Sequence, residues 1–147
     1  MEQAMTLSIV ICTYNRYALL KEAIDSFVMQ ITPNAGTELI IVDNNSKDDT
    51  KKLVYSYITK YPQWNIKYIL ERKQGLSVCR NTGYRKSNGD YIAYVDDDAK
   101  VSEDWYASLL KVISDYDVDI FGGPIYPYYS TNKSKWFDDK YEIRTAG

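Results

Sequence analysis

Five short apolar runs, at residues 7–12, 38–42, 66–70, 91–95 and 118–121, punctuate the chain. They are rich in Ile, Val and Tyr and mostly continuous, not alternating, which predicts strands buried on both faces. The longer stretches between them carry helical spacing. Over 17–30, Leu20, Ala23, Ile24, Phe27 and Val28 fall on one stripe. Leu53, Val54, Tyr57 and Ile58 do the same over 50–61, as do Leu109, Leu110, Val112 and Ile113 over 105–116. A further helix is expected over 76–86. Ser46, three residues before Asp49, forms a capping-box pattern, and Ser102 before Glu103 and Asp104 suits a helix start. Strands and helices alternate, so the expected fold is α/β: a doubly wound, mainly parallel sheet with flanking helices. Beyond Pro124 the periodicity is lost among Tyr126, Pro127, Tyr128, Tyr129, Trp136 and Phe137.

Composition narrows the function. A chain of 147 residues is expected to form one domain with a substantial core. Its 18 Lys and Arg against 20 Asp and Glu give a net charge of −2, with no basic excess to grip nucleic acid through phosphate neutralisation. With no histidine, histidine-ligated zinc and Ser-His or Cys-His nucleophiles are excluded within this chain. No apolar run reaches the ~20 residues of a membrane span, and residues 1–5 lack the features of a signal peptide. Cys12 and Cys79 form neither a disulfide framework nor a metal-ligand spacing, so they read as buried free thiols in a reducing cytoplasm. The 15 tyrosines suit stacking on sugars or bases, and equally suit core positions.

In doubly wound sheets the ligand lies beyond the carboxyl ends of the strands, so the residues that follow each run matter most. They are Thr13-Tyr14-Asn15-Arg16, then Asp43-Asn44-Asn45-Ser46, then Glu71-Arg72-Lys73-Gln74-Gly75, then Asp96-Asp97-Asp98, and last Gly122-Gly123-Pro124. Three adjacent carboxylates repel, and a compensating cation would hold them at a strand end. A hard divalent ion is suited, because Mg²⁺ is usually held by one or two carboxylates plus substrate phosphates. The alternative is a solvated acidic turn. Asp43 can accept a hydrogen bond from a ring N–H or a ribose hydroxyl, or serve simply as a turn residue. Gly75 would open a helix whose N-terminus can face an anion, with Arg80 within reach of a phosphate; alternatively Arg80 and Asn81 face solvent. No G-x-G-x-x-G or G-x-x-x-x-G-K-[ST] motif supplies a phosphate site.

Taken in order, residues 7–16, 38–46, 75–83 and 94–98 resemble the family 2 glycosyltransferases, inverting nucleotide-sugar-dependent enzymes of the GT-A fold, and the resemblance runs to about Pro124. It implies that Thr13, Tyr14, Asn15 and Arg16 line the nucleotide pocket, that Asp43 contacts the base, usually uracil, and that Arg80 lies near base or phosphates. Asp96-Asp97-Asp98 would be the family's D-x-D element, with Asp97 near the ribose, Asp98 the closest metal ligand and Asp96 assisting. Gly122, Gly123 and Pro124 would border the acceptor side. The implied cofactor is Mn²⁺ or Mg²⁺. The implied partners are a UDP-sugar donor and a saccharide or lipid-linked acceptor, in the cytoplasm or peripheral to the inner face of the membrane.

The chain departs from the family in length. The expected catalytic aspartate, often in a Glu-Asp pair downstream of the Gly-Gly segment, has no counterpart, since the later carboxylates are Asp138, Asp139 and Glu142 and the pair Glu103-Asp104 stands too early. The expectation is therefore a donor-binding domain over 1–124 and the start of an acceptor-side region or tail over 125–147, with no general base assigned. Three other readings compete, one of which, a response-regulator receiver, wants an acidic pair after the first run, where Thr13-Tyr14-Asn15 stands instead. A haloacid-dehalogenase-like phosphatase would use Asp96 and Asp98, but position 100 is Lys and the motif follows the fourth run, not the first. A non-catalytic nucleotide-sugar or protein-binding module could keep the fold without turnover.

Overall fold

The computed structural model describes residues 6–30, 32–33, 36–129, 131–141 and 143–145. The signal-peptide reading of residues 1–5 and the carboxylate Glu142 lie outside the described residues, as does the side chain of Asp139. The elements run β1 (Leu7–Thr13), α1 (Tyr17–Val28), β2 (Thr37–Asp43), α2 (Thr50–Lys60), β3 (Asn65–Leu70), α3 (Leu76–Lys86), β4 (Tyr91–Asp96) and α4 (Trp105–Asp115), with a 3₁₀ turn at Asp139–Tyr141. The chain divides into two compact units, Met1–Tyr106 and Ala107–Gly147.

The first unit holds the sheet. Its four strands are all parallel, in the order β3-β2-β1-β4. Every residue of β2 is buried, and so is all of β1 except the half-buried Cys12. Strand alternation sends Ile9, Ile11, Leu39 and Ile41 to one face and Val10, Ile40 and Val42 to the other, and all seven are 0% exposed. On the second face Val10, Ile40 and Val42 pack with Cys79 of α3, joined by Cys12, Ile69 and Ile92. Each such fully buried Ile or Val side chain contributes roughly 1.5–3 kcal/mol through removal from water. Gly83 brings α3 close to β1: a Cβ built there would lie 2.4 Å from Val10 Cγ1. Phe27 of α1 meets Trp105 edge-on at 5.5 Å and Trp64 at 6.4 Å.

Three expectations need correction. The run 118–121 forms no strand; it is four residues long, is broken by Asp119, and leaves Ile120 91% exposed with no ladder to pair with. Burial on both faces holds for β1 and β2, whereas β3 and β4 are largely half-buried because they are the edges of the sheet. The capping box at Ser46 is not formed. Asp49 is the N-cap residue of α2 and makes no side-chain cap. Instead Asp48 accepts from the Thr50 N–H at 3.1 Å and hydroxyl at 2.6 Å, and its other oxygen accepts from Tyr17 N–H at 3.0 Å, tying together the starts of α1 and α2.

A buried network closes the amino-terminal end of the sheet. Glu38 is 4% exposed; it accepts from the Ser8 hydroxyl at 2.6 Å and the Asn88 N–H at 2.8 Å, and pairs with Lys67. Burial alone would raise its pKa, but the bonds from Lys67, Ser8 and Asn88 outweigh that and hold the carboxyl below its ordinary range.

In the second unit Ile125 and Arg144 form an antiparallel bridge. Phe137 is the hub of an aromatic group, with Trp136 edge-on at 5.6 Å, and Tyr129 and Tyr141 each at 6.3 Å. Gly122, Gly123 and Pro124 belong to this unit, and nothing lies within 4 Å of a Cβ built on either glycine.

Candidate active site

The strand order creates one reversal. From β1 the chain winds outward through β2 to β3, then α3 returns it across to β4 on the other side of β1. A crevice is expected at the carboxyl ends of strands at such a switch point. A cavity of about 460 Å³ lies there. The end of β1 contributes Cys12, Thr13, Tyr14 and Arg16; the end of β4 contributes Asp96, Asp97 and Asp98; and the start of α3 contributes Gly75, Leu76, Cys79 and Arg80. Asn44 and Gln74 complete the wall.

Seven of the nine residues expected to meet nucleotide or metal therefore line one space, although 85 positions separate Thr13 from Asp98. Arg16 Nη1 donates to Asp97 at 3.1 Å and Asp98 at 3.0 Å. Asp97 holds the Arg16 guanidinium still more firmly protonated than usual, with Asp98 adding to the effect. Arg80 donates to Asp96 at 3.1 Å and lies 6.0 Å from the centre of the Tyr94 ring. The acidic run is thus partly neutralised by two guanidinium groups from distant elements. Thr13 is 3% exposed, and its hydroxyl oxygen is buried with no hydrogen-bond partner. Such an orphan costs roughly 1–3 kcal/mol unless something supplies a partner.

Two expected residues sit elsewhere. Asp43 is 2% exposed and is absent from the cavity wall; one oxygen accepts from Ser46 N–H at 2.8 Å, the other from the Tyr68 hydroxyl at 2.7 Å. Burial and the neighbouring Asp43 push the Tyr68 hydroxyl above its ordinary pKa. Asn15 stands at φ 52°, a left-handed conformation that asparagine tolerates, and braces the neighbouring loop. Its N–H donates to Ser46 Oγ at 2.9 Å, and its Oδ1 accepts from Lys47 N–H at 2.8 Å.

The wall also holds Asn44, Gln74, Gly75 and both cysteines, to which the family resemblance assigns no individual role. Asn44 is saturated: its Nδ2 donates to the carbonyls of Glu71 and Lys73, and its Oδ1 accepts from Gly75 N–H at 2.9 Å. Gly75, at φ 137°, occupies a backbone region closed to most side chains and sets the angle at which α3 enters. Cys12 and Cys79 line the apolar side, with burial pushing their thiols up to about 12 and about 11, so they act as small apolar groups and not as nucleophiles. Asn44 and Gln74 stand in the stretches that follow the second and third runs and Cys12 ends the first, so their place at strand ends already pointed to this edge of the sheet.

Known proteins resemble this chain in sequence and in fold. The model for "Glycosyl transferase family 2" matches residues 8–146. Glycosyltransferase AglE of Haloferax volcanii is 30% identical over 119 residues, covering 81% of this chain and 39% of that protein. A Campylobacter jejuni GalNAc(5)-diNAcBac-PP-undecaprenol beta-1,3-glucosyltransferase is 31% identical over 118 residues, covering 79% of this chain and 37% of that one. Among solved structures, the mannosyltransferase PcManGT of Pyrobaculum calidifontis in complex with GDP-Man and Mn²⁺ superimposes with a TM-score of 0.70 at 25% identity, over 78% of this chain and 34% of that one. The chain thus spans about two fifths of the length of these curated relatives. Because the family model matches nearly the whole chain, the chain belongs to glycosyl transferase family 2.

Proposed function

We propose that the cavity binds the nucleoside diphosphate of a sugar donor, UDP-linked, and serves metal-assisted transfer of the sugar to an acceptor hydroxyl with inversion. The observation that carries this reading is the meeting of Thr13, Arg16, Arg80 and the acidic run at the switch point. Arg16 and Arg80 offer guanidinium groups to a diphosphate, the buried Thr13 hydroxyl offers an unused hydrogen bond, and Tyr14, 46% exposed, offers a ring face. Asp43 acts one step behind the wall, holding the Ser46 turn that positions Asn44.

The donor set suits a divalent cation. On this reading the half-exposed Asp98 and the exposed Asp96 would supply the protein's carboxylates, and phosphate oxygens and water would complete the shell. That is the usual division for Mg²⁺, and PcManGT carries Mn²⁺. Bound there, the ion would stabilise charge on the departing diphosphate as a Lewis acid. The acceptor hydroxyl must give its proton to a carboxylate general base, to which we assign no residue. On this reading residues 1–124 bind the donor, residues 125–147 belong to the acceptor side, and the acceptor is a saccharide, lipid-linked as for the C. jejuni relative, which would bring the protein to the inner face of a membrane.

Thermal unfolding with UDP tests the assignment. UDP and Mn²⁺ together should raise Tm, since ligand at about 100 times its Kd stabilises a fold by about 2.7 kcal/mol. Asp98→Asn should abolish the metal-dependent part of that shift. An unchanged shift in the variant would reject Asp98 as a metal ligand, and a larger shift with GDP than with UDP would reject the uridine donor.

A further inference from the structure

We propose that Asn44 is a positioning residue for the cavity: its side-chain amide fixes the start of α3, and through α3 the guanidinium of Arg80, while making no contact with ligand itself. The inference rests on the donor site proposed above and deepens it. Asn44 is 5% exposed and joins three stretches of chain. Its N–H donates to the Thr13 carbonyl at the end of β1 at 2.9 Å. Its Nδ2 donates to the carbonyls of Glu71 at 3.1 Å and Lys73 at 2.8 Å, and its Oδ1 accepts from the Gly75 N–H at 2.9 Å. Its own carbonyl accepts from Gln74 Nε2. Both amide protons are used, so the side chain has no donor left for a phosphate or a base. Aspartate has the same shape but no proton to give the two carbonyls, and leucine has neither donor nor acceptor.

The amide holds the end of α3 that core packing leaves loose. Further along the helix, Cys79 is buried in the core and Gly83 lies against Val10, so the sheet fixes that half. At the start, Gly75 stands at φ 137° with no side-chain cap, and Leu76 is exposed. A glycine there has wide conformational freedom, and the bond to Asn44 selects one entry angle. Thr82 also ties α3 to this loop, but through Glu71, at the end of the loop away from Gly75. Arg80 follows Gly75 by five residues, about 7.5 Å along the helix axis. A tilt of the helix start therefore moves the Arg80 guanidinium, which reaches Asp96 at 3.1 Å and lines the cavity.

Two measurements test the proposal. The first uses amide hydrogen exchange and ¹⁵N spectra of the 147-residue chain without nucleotide. Asn44→Ala is expected to speed exchange at the Gly75 amide by about threefold to tenfold, the scale of one hydrogen bond, and to shift the Arg80 Nε signal. The second is calorimetry with UDP and Mn²⁺. Arg80→Ala should weaken UDP by about tenfold or more, as loss of a charge-assisted bond does, and Asn44→Ala by about fivefold. The double variant should be no more than about twofold weaker than Arg80→Ala alone, because Asn44 acts through Arg80. Glu38→Gln perturbs the opposite end of the sheet and should stay within about twofold of wild type, which separates positioning from lost stability. Circular dichroism checks folding, and Asn44→Ser, which also lacks the amide, replaces Asn44→Ala if the latter does not fold. Unchanged Gly75 exchange, losses of UDP affinity that simply add, or an equal loss in Glu38→Gln overturns the proposal. Failure of UDP to bind wild type would instead overturn the donor-site reading, and the spectra without nucleotide would still decide whether Asn44 positions Arg80.

Discussion

Replacing Gly83 by alanine probes the contact that seats the cavity-bearing helix on the sheet. The new Cβ would come within 2.4 Å of Val10 Cγ1 and 3.4 Å of Val10 Cγ2. Val10 is 0% exposed and wedged among Ile40, Val42 and Cys79, so it cannot yield without disturbing the core. Inserting a methyl group into such packing costs roughly 1–3 kcal/mol. Alanine in a helix recovers about 0.5–1 kcal/mol relative to glycine, leaving a net loss of up to about 2.5 kcal/mol and about 1 kcal/mol at mid-range. At a mid-range urea m value of about 2 kcal/mol/M, the midpoint should fall by about 0.5 M. Val10→Ala removes both γ carbons, so the double variant should be more stable than the two single losses predict, with a coupling of about 1 kcal/mol or more. A Gly83→Ala variant that is stabilised by about 1 kcal/mol, as at an exposed helical glycine, with no coupling to Val10, would refute the packing argument.

Two further outcomes follow from the buried carboxylates. Glu38 titrates below its ordinary value in the fold, so its stabilisation is complete above the unfolded carboxylate pKa of about 4.3 and is lost as pH falls below it. The gap in urea midpoint between wild type and Glu38→Gln should be constant at pH 6–8 and close below about pH 4.3; a gap that ignores pH contradicts the assignment. Asp43→Ala removes the acceptor for Ser46 N–H and the Tyr68 hydroxyl, at a cost of about 1–3 kcal/mol. Calorimetry is expected to show wild type binding UDP better than ADP and Asp43→Ala keeping that preference below its new Tm, while collapse of the preference in the variant would return Asp43 to the base.

The strands and helices were legible because each announces its period. Continuous Ile and Val runs marked β1 and β2, and the stripe of Leu20, Ala23, Ile24 and Phe27 marked α1. The site was legible for a related reason: in a parallel sheet, residues that follow strands share one edge, so Thr13, Arg16 and the acidic run were bound to converge. Three things were not legible. Residues 118–121 carry strand-like composition, but a strand exists only through its partner, and local sequence does not say whether one is in reach. Within Asp43-Asn44-Asn45, the choice of which side chain faces the cavity is set by the turn itself, where Asn45 adopts φ 64°, and by the bonds that draw Asp43 inward. The pairing of Arg16 with acids 81 and 82 residues away is a tertiary fact that no spacing encodes.

The central claim is that the switch-point cavity holds a nucleoside diphosphate and a divalent ion together. Anomalous diffraction from crystals soaked in UDP and MnCl₂ tests it most directly. The account predicts an Mn²⁺ peak against the Asp98 carboxylate and diphosphate density between Arg80 and that peak. Nucleotide bound elsewhere on the chain, or UDP in the cavity with no Mn²⁺ beside Asp98, would contradict it.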